Sequence, residues 1–302
     1  MEELAAVLAI IAAVAFALAA TLWQRASLAL GIQPGEPGGL YRLLGSGVWL
    51  LGLAAQLVGV VLQGAALDRG RVAIIQPLLV TTIIWAMPLG YFLTGQTITR
   101  RHVLGAAIVV AGLVGFALYG DPAGGNDNAP GSTWLAAFLV LGAVAGGLLL
   151  FVGRVGPPGK AALLGAVTGI LYGVAAVLMK PVVEDLHVVG LTGVLESWEV
   201  WVMAGAGLVG FVLQQASLAT GALVASVATV SVVNPVVSVL LGALVLQERL
   251  DRSPPWHAVV AVGALGVALF GAILIASADD HAPNPEPDAP SGDAAVAAPA
   301  PA

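Results

Sequence analysis

The sequence predicts an all-α, polytopic bundle of transmembrane helices, because of its composition, its long apolar runs and an internal repeat. Of its 302 residues, 59% are hydrophobic and 9% are charged, whereas a soluble domain carries charge on about a quarter of its residues. A helix of about 20 residues crosses a hydrocarbon core of about 30 Å. Nine runs are long enough: residues 4–22, 46–66, 71–93, 102–120, 134–152, 161–182, 199–217, 221–247 and 256–277. None alternates polar with apolar residues as barrel strands do, so these runs are predicted to be helices.

The chain divides into one membrane domain, residues 1–277, and a tail, residues 278–302. The tail consists mainly of Pro, Ala and Asp with little to bury, so we expect it to be disordered. The polar stretch 120–132 marks a boundary between two halves of the membrane domain. The chain starts Met1-Glu2-Glu3, which is acidic where a signal peptide is positive, so we expect the first helix to be retained.

Composition argues against several classes of function. Cysteine is absent, which excludes disulfides and thiolate metal sites. The net charge is −6 and no basic patch suggests a nucleic-acid partner. The four histidines fall at helix ends, in loops or in the tail, and no catalytic motif places two reactive groups at membrane depth. We therefore expect no enzyme activity, no cofactor and no resident metal.

The membrane domain contains a repeat at a constant offset of 151 residues. Residues 59–70 match residues 210–221, and the same offset pairs Gln96 with Gln247. A shared apolar bias would not hold Gln, Arg and Gly in one register across three helices. The domain therefore contains two related halves.

This repeat is predicted to be inverted. Repeat one covers about 4–120 and repeat two about 161–277, with the fifth helix, 134–152, unpaired. Partner helices lie five places apart, and an odd separation means that they cross the membrane in opposite directions. Such repeats are common in secondary transporters, which bind substrate near the midplane where the halves meet. A weaker match aligns residues 16–22 with 172–178 at a slightly different offset.

Short motifs recur within the repeat. They are Ala65–Gly70, Ala216–Gly221, the proline-bearing stretches Ile75–Thr81 and Val233–Val237, and the acidic ending Leu246–Leu250. Together they resemble the drug/metabolite transporter (DMT) superfamily, on the side of its EamA-like and NIPA-type (magnesium transporter) members. The superfamily often has ten helices, and nine are predicted here, as in NIPA-type proteins. Where its first half usually carries an acid this chain has Gln96, so only Glu248 carries the charge.

One face of the second predicted helix is a candidate lining of the transport pathway. Within an arc of about 80° it carries Trp49, Gly52, Gln56, Gly59 and Gln63. This face either lines a central cavity or packs against a neighbour, with glycines admitting the other helix and glutamines bonding across. Gln214, the repeat partner of Gln63, favours the cavity.

The eighth predicted helix has Asn234 and Pro235 at its middle. Proline removes one backbone hydrogen bond, and Ser231, Asn234 and Ser238 share a face of about 60°. The kink either faces a wet cavity or is a structural bend bonded by its own side chains. Gln76 is the candidate on the third helix, the repeat counterpart.

Charged and aromatic candidates lie elsewhere in repeat two. Lys180 ends the sixth predicted helix and either neutralises an anionic solute or extends to the membrane interface. Tyr172, two turns earlier, lines the same route or simply packs. Glu196 and Glu199 lie among tryptophans and are either part of a membrane-edge anchor or a vestibule for cations. Mg²⁺ dehydrates reluctantly and prefers oxygen ligands, and no helix core holds a carboxylate for it.

These observations predict a secondary transporter that moves a small metabolite, drug or weakly charged organic solute by alternating access. The alternative is a NIPA-like transporter of magnesium or another divalent cation, and a third hypothesis is a non-transporting membrane scaffold. The expected partners are the solute or ion and the lipid bilayer, and a homo-oligomer is compatible with the sequence. We expect a multi-pass protein of a bacterial plasma membrane. Basic residues number six on one side and five on the other, a difference of one that leans towards a cytoplasmic C-terminus.

Overall fold

The computed structural model describes residues 2–69, 78–119, 130–188, 190–247 and 256–279, which are mainly helical and contain no strand. Predictions that fall on other residues lie outside the described part of the chain. They concern Gln76, Glu248, most of the boundary stretch 120–132 and nearly all of the tail.

The fold is an all-α bundle, as the sequence predicts. Its helices are α1 (Glu2–Ala29), α2 (Gly39–Leu44), α3 (Gly47–Arg69), α4 (Thr82–Thr94), α5 (Arg100–Tyr119), α6 (Gly131–Phe151), α7 (Pro157–Val188), α8 (Gly190–Glu196), α9 (Trp198–Leu218), α10 (Leu223–Leu244) and α11 (Trp256–Asp279). Within the described residues, eight helices are long and apolar enough to cross a membrane, and a shorter apolar helical stretch covers Leu78–Thr94. This protein is therefore a multi-pass membrane protein.

Two helices are longer than predicted. α1 continues to Ala29 instead of ending near residue 22, and α7 continues to Val188 instead of ending near 182. Pro181 lies inside α7 and does not end it. In membrane helices the backbone groups that a proline frees find partners on neighbouring helices or side chains, so the helix continues past it.

In the first half, α1 and α3 pack closely because glycines on α3 accept aromatic rings from α1. A Cβ on Gly52 would lie 2.6 Å from the Trp23 ring, and one on Gly59 would lie 2.5 Å from the Phe16 ring. The later glycine meets the earlier aromatic residue, so the two helices run antiparallel.

The second half repeats this arrangement with α7 and α9. A Cβ on Gly210 would lie 2.8 Å from the ring of Tyr172. Gly210 is the repeat partner of Gly59, and the weaker sequence match pairs Tyr172 with Phe16. The two halves therefore share this packing contact: an aromatic ring lies on a glycine, from α1 to α3 in the first half and from α7 to α9 in the second.

The two halves meet along α5 and α11, which are themselves repeat partners. Gly105 lies against the backbone of Gly271, and Gly112 lies against the backbone of Ala264 and Ala268. Partner numbers on α11 fall as those on α5 rise, so the helices are antiparallel. Because repeat-related helices run in opposite directions, the repeat is inverted, as predicted.

α7 also packs against α10, but in the parallel sense. Gly165 lies on Ser226, Gly169 on Val233, and Gly173 on Asn234, so contact positions rise together along both helices. The unpaired α6 packs on α7. Most of its remaining surface is exposed, because no residue in its most apolar stretch is buried.

The connection between α1 and α3 is held by an ion pair. The Arg42 guanidinium lies 2.8 Å from the Glu36 carboxylate and also donates to the carbonyl oxygen of Leu30 near the end of α1. The backbone N–H of Gln33, which donates to Glu36, and the charge of Arg42 hold the pKa of that carboxyl below its usual value. Because Arg42 is exposed and Glu36 only half-buried, this pair organises the loop more than it stabilises the fold.

Gly112→Ala is expected to destabilise the protein. The new Cβ would lie 2.6 Å from backbone atoms of both Ala264 and Ala268, so α5 and α11 must separate. Overpacking of this kind costs about 1–3 kcal/mol. The measurement is the thermal midpoint in detergent, followed by fluorescence-detected size-exclusion chromatography.

The matched control is Gly263→Ala, the repeat partner of Gly112, whose Cβ position has no other atom within 4 Å. Alanine there should be neutral or stabilising by about 0.5–1 kcal/mol, because glycine inside a helix is the less favourable residue. Equal losses for the two variants would contradict the close α5–α11 packing.

Candidate functional site

A polar pair joins α7 and α9 in the second half. Tyr172, at the midpoint of α7, donates its hydroxyl to the Gln214 side-chain oxygen of α9 over 2.7 Å. Both side chains are half-buried. The bond leaves the Gln214 amide N–H groups as donors to a further partner. Two of the predicted pathway residues are therefore in direct contact.

A second polar pair lies on α10, at its midpoint. The Ser238 hydroxyl donates to the Asn234 backbone oxygen over 2.9 Å and lies 3.4 Å from both the Asn234 side-chain oxygen and the Gly173 carbonyl oxygen of α7. These bonds are those expected of a structural bend at Pro235. They also place Asn234 beside Gly173, the residue after Tyr172, so both polar pairs flank the same turn of α7.

The first half has no equivalent of the Tyr172–Gln214 bond. Phe16 occupies the place of Tyr172 and has no hydroxyl to offer to Gln63, the repeat partner of Gln214. Gln63 is half-buried on α3. The fold therefore places the same ring-on-glycine contact in both halves, but only the second half adds a hydrogen bond to it.

A cluster of aromatic and amide side chains joins the two halves near one end of the bundle. The Trp49 indole N–H of α3 donates to the Gln215 side-chain oxygen of α9 over 3.0 Å. The Trp49 and Trp23 rings lie 6.2 and 5.5 Å from the Phe211 ring. The Trp23 indole N–H donates to the Trp49 carbonyl oxygen over 3.2 Å. We call Trp23, Trp49, Phe211 and Gln215 the aromatic seal.

The sequence prediction missed most of this seal. It included Trp49 in the polar face of the second helix but did not single out Trp23, Phe211 or Gln215. The signal was available in the repeat, because Gln214-Gln215 of the second half aligns with Gln63-Gly64 of the first. A polar residue that one half has and the other lacks is not required by the shared architecture.

The polar face predicted on α3 is divided between two roles. Its two glycines, Gly52 and Gly59, are buried against rings of α1, as the packing interpretation expects. Trp49 is buried in the seal. Gln56 and Gln63 are half-buried, and their assignment to a pathway stays a prediction.

The remaining candidates are less closely connected. Ser231 and Pro235 are half-buried in α10. Lys180 lies within α7 instead of at its end, and its side chain is outside the described part. Glu196 is exposed at the end of α8, and Glu199 is half-buried in the first turn of α9.

The tryptophans around the two glutamates make packing contacts. The Trp198 ring lies 5.7 Å from Trp134 of α6, and the Trp201 indole N–H donates to the carbonyl oxygen of Leu195 over 3.0 Å. These contacts suit a membrane-edge anchor. Within the described ranges, no three His, Cys, Asp or Glu side chains are grouped so that they could hold a metal ion.

An apolar groove of about 280 Å³ lies between α6, α7 and α9. Its lining includes Phe138, Gly142, Leu171, Gly205 and Val209 and none of the predicted pathway residues. The polar pairs therefore belong to a different surface from this groove.

The chain is 31% identical to the uncharacterized protein Cgl0250/cg0304 of Corynebacterium glutamicum over 235 residues, which cover 78% of this chain and 80% of that protein. The chain belongs to the same family as that protein. No family profile and no solved structure matches the chain.

A double-mutant cycle is expected to show coupling between Tyr172 and Gln214. Tyr172→Phe keeps the ring on Gly210 and removes one hydrogen bond, which should lower the free energy of unfolding by about 0.5–1.5 kcal/mol. In a Gln214→Leu background the same substitution should cost much less, because the acceptor is already gone. The measurement is unfolding in detergent followed by circular dichroism.

The matched control is Tyr91→Phe on the exposed face of α4, where the side chain is 57% exposed. This variant should change stability little. Costs for Tyr172→Phe that are equal in both backgrounds would argue that its hydroxyl does not bond to Gln214.

Proposed function

We propose that this protein is a secondary transporter that moves a small, neutral or weakly charged solute across the membrane by alternating access. The observation that carries the proposal is the inverted repeat, in which Gly59 accepts Phe16 and Gly210 accepts Tyr172. Two halves of one architecture that run in opposite directions can exchange conformations across the membrane, which is how many secondary transporters open to each side in turn.

The polar groups between α7, α9 and α10 suit this class of solute. Tyr172, Gln214, Asn234 and Ser238 offer hydroxyl and amide groups and no formal charge. A buried ion without an opposite charge nearby is costly at membrane depth, whereas a neutral polar group is satisfied by hydrogen bonds. We infer that the solute donates to or accepts from these amides and hydroxyls.

Membership of the DMT superfamily is part of the proposal. It rests on the resemblance of short motifs such as Ala216–Gly221, in which Gly221 has a φ of +88° just after α9, a conformation that favours glycine. We further propose a bacterial plasma membrane location, and a cytoplasmic C-terminus on the distribution of basic residues, six on that side and five on the other.

The test is flux into proteoliposomes. Purified protein would be offered a panel of amino acids, amines, nucleosides and Mg²⁺, with and without a proton gradient. We expect saturable flux of at least one organic solute, reduced at least about tenfold by Asn234→Leu, which corresponds to about 1.4 kcal/mol. Size-exclusion chromatography would show that the variant is folded.

A matched pair of serine variants separates function from local structure. Ser238 and Ser277 each donate to the backbone oxygen four residues earlier, Asn234 and Ile273. Ser238→Ala should slow transport, whereas Ser277→Ala on α11 should not. Absence of flux for every solute would favour the scaffold hypothesis. Flux of Mg²⁺ alone, abolished by Glu196→Ala with Glu199→Ala, would favour the cation alternative.

A further inference from the structure

The aromatic seal closes one face of the bundle between the two halves. Trp49 is the third residue of α3, and Gln215 is the fourth from the end of α9. The start of one helix therefore meets the end of the other. Trp49 and Gln215 are 2% and 4% exposed, so this end is tightly packed.

The same helix faces are open toward the opposite membrane face. Val60 lies eleven residues after Trp49, about 20° around the helix and about 16 Å along it, yet it is 52% exposed. Ala204, two turns before Phe211 on the same face of α9, is also exposed. Nothing lies within 4 Å of a Cβ placed on Gly64. Val60, Gly64 and Ala204 are thus exposed, so α3 and α9 are not packed at this end as they are at the seal.

The repeat relates the closed end to the open end residue by residue. At the offset of 151, Trp49 corresponds to Val200, Phe211 to Val60 and Gln215 to Gly64. The contact of Trp49 with Phe211 thus has a counterpart in Val200 with Val60. The contact of Trp49 with Gln215 has a counterpart in Val200 with Gly64. We call Val60, Gly64 and Val200 the counterpart cluster.

We propose that the aromatic seal and the counterpart cluster are the two gates of the transport pathway and that they close in turn. The inference rests on the proposed function and adds which residues form each gate. In the conformation described here the pathway opens at the face where α3 ends and α9 begins. In the alternate conformation Val200 meets Val60 and Gly64, and the seal separates.

The two gates differ in chemistry, and this difference determines which of the two conformations is more populated. The seal combines the buried rings of Trp23 and Trp49, the half-buried ring of Phe211 and a hydrogen bond, whereas the counterpart cluster offers two valines and a glycine. Aromatic side chains bury far more surface than valine. The conformation closed at the seal is therefore the resting one, and the alternate conformation is a minor state.

Cysteine pairs test this exchange directly, because the chain contains no cysteine of its own. A disulfide needs Cα atoms within about 7 Å, so Val60→Cys with Val200→Cys should form one only in the alternate conformation. Membranes carrying this pair would be treated with copper phenanthroline without added solute, and the crosslinking rate measured on gels. The matched control is Val61→Cys with Val200→Cys, since Val61 is 70% exposed and points about 100° away.

Weakening the seal should speed the crosslink. Trp49→Phe keeps a ring and removes the N–H that bonds to Gln215, and Gln215→Leu removes the same bond from the other side. Each should raise the Val60–Val200 crosslinking rate about twofold to tenfold, the factor that one lost hydrogen bond supplies. Size-exclusion chromatography of each variant would confirm that it is folded.

Either of two results would contradict the gate assignment. The first is that the Val60–Val200 pair crosslinks no faster than the control pair, and the second is that neither seal variant changes its crosslinking rate. Transport is judged separately, because the crosslink is measured without solute. Solute flux in a protein whose Val60–Val200 crosslinking does not respond to the seal variants would contradict the gate assignment but not the transport proposal. A crosslink that responds to the seal variants, in a protein with no flux for any solute, would instead remove the transport proposal.

Discussion

Close contact between the backbones of α5 and α11 is the constraint on which the rest of the structure depends. Lipid tails are as apolar as leucine, so helices in a bilayer associate through van der Waals packing and interhelical bonds and not through water exclusion. Gly105, Gly112 and Gly271 remove the side chains that would hold these two backbones apart. Because α5 and α11 are repeat partners, this antiparallel pair lies between the two halves and fixes their inverted relation.

Much of this architecture was predictable from the sequence, because lipid imposes length and polarity on every spanning helix. The apolar runs predicted the helices, and the constant offset that also pairs Gln96 with Gln247 predicted the repeat. Contact detail required the structure. The weak match of Phe16 with Tyr172 gained its meaning only when both rings were found on repeat-related glycines. The extension of α7 past Pro181 was missed, because a lost proline hydrogen bond ends helices in water more readily than in a membrane.

The candidate site was predicted less completely, for a physical reason. Periodicity shows which residues share a face of one helix, but it cannot tell which neighbour that face meets. Gly52 and Gly59 shared a face with Gln56 and Gln63, yet the glycines pack on rings of α1. The Tyr172–Gln214 bond joins residues of two helices that are 42 positions apart in sequence. Only the tertiary arrangement brings such pairs together.

Positions at which the two halves hold different residues are informative about function, because the shared architecture does not explain them. Where both halves hold the same residue type, the architecture explains it, as with the ring-accepting glycines. Where one half holds Gln215 and the other holds Gly64, the architecture is satisfied by either, and the difference has a separate cause. The same reasoning separates Tyr172 from Phe16. A polar group that the fold does not require, buried at a cost in free energy, is best explained by a task such as meeting a solute or favouring one of two conformations. Tyr172 and Gln215 are two such groups and both lie in the second half, so the two structurally similar halves differ in chemistry at these positions.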